Sequence, residues 1–119
     1  MHVKVNFARD PEETFELWDA AGALAFLERA VIITGLHAIT QTVVVEHEEG
    51  AFLHIDGHVI IAESHIHVTL LPEIGLGFAD VFSCMDVEPG KVAGLIDELF
   101  GGHQDTEISA RGLPQKGDL

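Results

Sequence analysis

The sequence predicts an α+β fold, a two-layer sandwich in which two helices cover one face of an antiparallel sheet and two copies dimerise through their sheets. Three observations lead there. The periodic segments run strand, helix, several strands, helix, strand, a segregated order rather than strict alternation of strand and helix. From Ala38 to Ser83 the chain is dense in β-branched residues and in period-two alternation. Only two segments carry the three-to-four-residue apolar spacing of a helix. Two helices leave the second sheet face bare, and another copy of the chain is its simplest cover, so a homodimer is expected.

In chain order, His2 to Phe7 alternates, with Val3 and Val5 on one face and Lys4 on the other, and reads as a half-buried strand. Asp10 is a candidate N-cap, with Pro11 at the first helical position and Glu12 and Glu13 in the first turn. A helix is expected from Pro11 to about Val31, its core stripe formed by Leu17, Ala20, Leu24, Leu27 and Val31, widened by Ala21, with Glu16, Asp19 and Glu28 pointing elsewhere. Gly22 weakens or bends it where another element comes close, and Gly35 is its natural stop. Gln41 to Glu46 is a β-branched strand, and His47 to Gly50 reads as a turn. Ala51 to Ile55 and His58 to Ala62 read as two strands separated by Asp56-Gly57, a dipeptide favoured in tight hairpins. His65 to Leu71 alternates as another strand, Pro72 to Gly77 turns, and Phe78 to Ser83 is a strand. Val87 to Gly90 introduces a helix over Lys91 to Phe100, with Val92, Leu95, Ile96 and Leu99 inward and Gly101-Gly102 ending it. Thr106 to Ala110 is a candidate edge strand, and the tail after Gly112 is polar and expected to fray.

One domain spanning residues 1–119 fits the length, and 47% hydrophobic residues supply one core. A net charge of −14 argues against a nucleic-acid partner, which needs clustered Lys and Arg, and suits cationic small molecules. No apolar run is long enough to span a bilayer, and the start lacks the plan of a secretion signal. The single cysteine, Cys84, forms no internal disulfide, so a cytoplasmic setting is expected.

The densest chemistry lies in Ile60-Ile61-Ala62-Glu63-Ser64-His65-Ile66-His67-Val68-Thr69, followed by Pro72-Glu73 and by Asp80-Val81-Phe82-Ser83-Cys84. A serine becomes a nucleophile only beside a base or in a strained peptide. Strand periodicity puts His65, His67 and Thr69 on the face opposite Ser64, so neither histidine is assured of reaching it. Read alone, Ser64 is an ordinary strand-end hydroxyl and Cys84 a small buried apolar residue. His65 and His67 share a strand face and could ligate one ion with Glu73, on a sheet also carrying His54 and His58. Their spacing matches no strong zinc signature, and no metal is expected.

These three segments together resemble the short prokaryotic S-adenosylmethionine decarboxylases, pyruvoyl enzymes of polyamine synthesis, and keep the family's mutual spacing without a gap. His2 to Phe7 and Asp10-Pro11-Glu12 fit the family's opening, and Glu107 and Arg111-Gly112 its close, so the resemblance covers nearly the whole chain. It implies self-cleavage between Glu63 and Ser64 into chains 1–63 and 64–119. The Ser64 hydroxyl attacks the preceding carbonyl, the amide becomes an ester, and β-elimination leaves Ser64 as a pyruvoyl group. That group is the implied cofactor, an electron sink that forms a Schiff base with an amino-acid-type substrate. The resemblance assigns proton donation after carbon dioxide loss to Cys84, ribose binding to Glu73 and substrate contact to His65.

The chain also departs from the family. A processing histidine five residues after the cleavage serine is here Thr69, and His67, two residues earlier on the same strand face, is the candidate substitute. A processing serine before Gly57 is here Asp56, and a tryptophan before Pro72 is Leu71. The turn that normally offers an adenine-stacking aromatic holds Glu48, Glu49, Gly50 and Ala51, with Phe52 the nearest aromatic. Those carboxylates make a basic amino acid such as arginine or ornithine the alternative substrate. An unprocessed, non-catalytic or metal-binding relative is the remaining alternative.

Overall fold

The structure, a computed structural model, describes residues 1–13, 17–62 and 64–109. Along these the chain runs β1 (His2–Ala8), α1 (Ala20–Thr34), β2 (Val43–Glu49), β3 (Phe52–Ile61), β4 (Ser64–Leu71), β5 (Leu76–Phe82), α2 (Pro89–Phe100) and β6 (His103–Ser109). All six strands join one antiparallel sheet in the order β2-β3-β4-β5-β1-β6. Both helices pack on one face, so the α+β sandwich expected from the sequence is the observed architecture.

The core lies between sheet and helices. Val3, Val5 and Phe7 of β1, Ile55, Val59 and Ile61 of β3, Ile66, Val68 and Leu70 of β4, and Ala79 and Val81 of β5 all face the helices and are buried. From the other layer come Ala23, Phe26, Leu27 and Ala30 of α1 and Val92, Leu95, Ile96 and Phe100 of α2. Phe100 is the centre of an aromatic cluster. It stacks on Phe7 at 5.3 Å and meets Trp18 edge-on, while its carbonyl accepts a 2.9 Å hydrogen bond from the Trp18 indole.

Local signals lost to tertiary packing at three places. α1 begins at Ala20, not Pro11, and its N-cap is Asp19, whose carboxylate accepts from the Gly22 amide at 2.8 Å. Asp10 instead closes a separate turn, accepting from the Glu12 amide through its side chain and the Glu13 amide through its carbonyl. The segment before α1 folds back so closely that a Cβ at position 22 would lie 1.7 Å from the Leu17 carbonyl oxygen, and this close approach is the role of Gly22. The buried stripe of α1 is therefore Gly22, Ala23, Phe26, Leu27 and Ala30, whereas Leu24 is exposed and Leu17, Ala20 and Val31 are only half-buried. Glu16 lies outside the described residues. Gly35 caps the helix as expected.

The second correction concerns β2 and β3. His47 to Glu49 stay in the strand, and the turn is Gly50-Ala51, with Gly50 at φ 63°. The third is Asp56-Gly57, which makes no hairpin but sits inside the ten-residue strand β3. A Cβ on Gly57 would come 2.6 Å from Leu27 Cδ1 and 3.1 Å from Val68 Cγ1, so the glycine makes room for α1 against the sheet. The remaining strands and α2 follow the sequence reading within a few residues. Leu99 is half-buried and Phe100 takes the innermost position of α2. Ala110, the expected end of the edge strand, Arg111-Gly112 and the tail lie outside the described residues.

Candidate active site

Ser64 opens β4 opposite Ile61 of β3, directly after the short link between the two strands. It faces the helix layer and is 8% exposed. Glu63, the residue before it, lies outside the described residues. The segment leaving β5 comes alongside: the Cys84 backbone N–H donates to Ser64 Oγ at 3.1 Å, and Cys84 itself is exposed. Two bonds between Met1 and Ser83, from the Met1 ammonium to the Ser83 carbonyl at 2.6 Å and from the Ser83 amide to the Met1 carbonyl at 2.9 Å, prolong the β1–β5 ladder. They anchor the residue that delivers Cys84. Buried Ser83 accepts from the Met85 amide at 3.0 Å, which turns the chain outward after it. The two residues that the sequence marks for nucleophile and acid are thus brought together.

The other marked residues lie elsewhere. His65 and His67 project from the open sheet face, on the opposite side of β4 from Ser64. Glu73 is exposed in the turn after Leu71, at the far end of β4. With a rise of roughly 3.4 Å per residue, the length of β4 separates it from Ser64 by about 24 Å. Within one chain Glu73 and His67 do not converge on Ser64.

The open face is rich in imidazole. Antiparallel partners share a face, and the register puts His2, His47, His54, His58, His65, His67 and His103 on this one, leaving only His37 of the chain's eight histidines off it. His65 stacks on Phe82 at 5.4 Å and lies 6.0 Å from the His58 ring. Partial burial, then the facing His58, hold the His65 pKa below its ordinary value, against the opposing pull of Asp80. His58, His65 and His67 line a shallow hollow of about 300 Å³.

Asp56 is the hub of this face. It accepts from Thr69 Oγ1 at 2.6 Å, lies 2.5 Å from His47 Nε2 and stands 3.6 Å from His67 Nε2. Burial alone raises its pKa, but the hydrogen bonds from Thr69 and His47 and the charges of His47 and His67 bring it below the ordinary value. The sequence reading missed this hub. Asp56 and His47 both sit in segments with local turn signals, yet β2 and β3 run through them unbroken. Strict alternation through His54, Asp56 and His58 was the available signal.

The model of the S-adenosylmethionine decarboxylase family matches residues 1–111. The chain belongs to this family. It is similar to the S-adenosylmethionine decarboxylase proenzyme of Bacillus velezensis, with 30% identity over 95 residues covering 76% of this chain and 74% of that protein. The proenzyme of Geobacillus kaustophilus is 30% identical over 103 residues, covering 82% and 83%. Proenzyme 2 of Halalkalibacterium halodurans is 33% identical over 90 residues, covering 71% of each. The resemblance carried by the Glu63-Ser64-His65, Pro72-Glu73 and Asp80-to-Cys84 segments is borne out. Family membership favours a decarboxylase over a non-catalytic relative. Asp56 and Thr69, the two positions at which the sequence departs from the expected processing residues, are hydrogen-bonded to each other. Among the described residues no helix is long and apolar enough to cross a membrane.

Proposed function

We propose that this chain is a self-processing S-adenosylmethionine decarboxylase whose cofactor is a pyruvoyl group made from Ser64, and that two cleaved protomers form its working unit. The observation that carries the reading is the 3.1 Å bond from the Cys84 amide to Ser64 Oγ. It sets the hydroxyl that is to be converted beside the backbone of the residue that carries the chain's single thiol. In processing, Ser64 Oγ attacks the Glu63 carbonyl carbon, the C–N bond of that peptide breaks, and the amine takes the proton. The ester then eliminates, with Ser64 losing its α-proton and the carboxylate of Glu63 leaving. Addition of water and loss of ammonia complete the keto group. The Cys84 N–H fixes the position of Oγ for the attack.

The pyruvoyl group supplies an electron sink for decarboxylation. The chain's own residues do the rest. Cys84, exposed next to position 64, delivers a proton to the substrate carbon after carbon dioxide leaves. Glu73 accepts hydrogen bonds from the ribose hydroxyls, each worth about 1.5–3 kcal/mol to a charged acceptor.

The gap of about 24 Å between Ser64 and Glu73 favours a dimer. A second copy is the available source of a Glu73 for the first copy's Ser64, which that residue does not reach in its own chain. Apolar exposure on the open face supports the same reading: Val43, Val45, Phe52, Ile60, Leu76 and Phe78 are all at least 38% exposed there. His67, held near Asp56 and Thr69, is the candidate to take the place of the missing processing histidine.

Intact mass and labelled carbon dioxide release test the proposal. Purified protein should resolve into chains 1–63 and 64–119, and Ser64→Ala should stay whole. His67→Ala should slow cutting, and Thr69→His should speed it. The cleaved protein should release carbon dioxide from S-adenosylmethionine and not from arginine, ornithine or lysine. A single uncut mass after long incubation overturns self-processing, and turnover of arginine or ornithine alone overturns the substrate. Cys84→Ala should lose sustained turnover and accumulate alanine at position 64; normal turnover would assign the acid elsewhere.

A further inference from the structure

We propose that the open sheet face also carries a site for a zinc-class divalent cation, built from His47, His54 and Asp56. The strand register makes the site. His47 of β2 lies directly opposite His54 of β3, and Asp56 follows two residues along β3 on the same face. One donor atom from each of the three lies within 4.8 Å of the others. The two imidazoles are stacked, with ring centroids 5.1 Å apart.

The chemistry of the donors selects the ion. Two imidazole nitrogens and a carboxylate oxygen are the borderline set that zinc and its first-row neighbours take in preference to magnesium or calcium, which call for oxygen alone. Three protein ligands leave one position of a tetrahedral ion for water. Ligand atoms around a tetrahedral zinc are about 3.3 Å apart, as bond lengths near 2.0–2.1 Å require. All three side chains are half-exposed in the single chain, so rotation of the side chains closes the difference while the paired strands stay fixed.

Asp56 divides its two oxygens between two tasks. Oδ1 accepts from Thr69 Oγ1 at 2.6 Å, and Oδ2 faces His47 Nε2 at 2.5 Å. The Thr69 bond orients the carboxylate from behind, as outer partners of metal ligands do. The ion takes the place of the direct contact between His47 Nε2 and Asp56 Oδ2. A net charge of −14 draws cations to the surface in general, and the paired imidazoles make this point selective. Bound there, the ion clips edge strand β2 to β3. This site is separate from the His65, His67 and Glu73 set that the sequence suggests, whose members do not converge.

The test uses untagged full-length protein, stripped with a chelator and titrated with Zn2+ against a chromophoric competitor. One ion per chain is expected, and the Co2+-loaded protein should show the intense visible bands of a four-coordinate ion. His47→Ala and His54→Ala should each weaken binding by about tenfold or more, whereas His58→Ala, on the same face but outside the site, should not change it. Zn2+ should raise the thermal midpoint of the wild-type chain and leave that of His54→Ala unmoved, which reads the site without activity. Affinity unchanged in both ligand variants, or equal loss in His58→Ala, means an adventitious ion only and overturns the proposal. So does one ion per two chains, since the site would then require a second copy. None of these readings depends on self-cleavage or decarboxylation.

Discussion

The two faces of the sheet are built from the same strands and have nothing else in common. Toward the helices, β1, β3, β4 and β5 present Val, Ile, Leu, Phe and Ala, and the only buried polar side chains among the described residues are Ser64 and Ser83. Toward the open side the same strands present His2, Lys4, Asp56, His58, His65, His67, Thr69 and Asp80. A period of two separates them, so neighbours in sequence serve different ends. The inward residues make the fold, and the outward ones are free to carry chemistry. Ser64 is the exception: it faces the core side at a strand end, where Cys84 reaches it.

The largest expected effect breaks the inward face. Phe100 is fully buried among Phe7, Trp18 and Phe26, so Phe100→Ala should cost about 3–5 kcal/mol in urea unfolding. Phe78, 41% exposed on the open side, is the matched control. Phe78→Ala should move protomer stability by only about 0.5 kcal/mol or less while weakening self-association in sedimentation. Equal losses of stability from the two variants would erase the distinction between the faces.

A smaller effect sharpens it at adjacent residues. Gly57→Val pushes a side chain into Leu27 and Val68 and should cost about 1–3 kcal/mol, the usual range for overpacking. Urea midpoints check it, and no change would mean that α1 yields freely at that point.

Smaller again is a pH effect on the open face. The His65 pKa is lower in the folded chain than its ordinary value of 6.5. The unfolded chain therefore takes up that proton first as pH falls. His65's effect on stability is absent above about pH 6.5 and grows as pH drops toward the folded pKa, so stability declines through that window. His65→Gln should flatten the slope of stability against pH there. The smallest effect lies on the outer surface of the helix layer. Arg29 donates to Glu98 at 2.8 Å between exposed side chains, and Arg29 holds the Glu98 pKa below its ordinary value. Arg29→Ala should leave the thermal midpoint unchanged within error, as exposed pairs usually do.

Much of this was legible in the chain. Alternation at His2 to Phe7 and at His65 to Leu71 located β1 and β4, and the spacing of Val92, Leu95 and Ile96 located α2, because each pattern matches one period only. Asp10-Pro11 and Asp56-Gly57 misled because their preferences are local. A cap before a proline is equally sound as a lone turn, and a glycine after an aspartate equally suits a hairpin or a strand that must admit a helix. The Ser64–Cys84 pairing was legible only through the family, since twenty residues separate them. The Asp56, His47, Thr69 and His67 cluster is not legible while Asp56-Gly57 reads as a turn, because it exists only across paired strands.

By itself the sequence determined the alternation that sorts residues into two faces, and with it the family and the α+β class. These follow from side-chain period and composition, which are properties of short segments. The tertiary structure decided where α1 starts, that β3 runs unbroken through Gly57, and which side chains meet across strands. Those outcomes depend on contacts between Gly22 and Leu17, Gly57 and Leu27, and His47 and Asp56, and each exists only after the elements have packed, when burial outweighs the few tenths of a kcal/mol to about 1 kcal/mol by which local preferences differ.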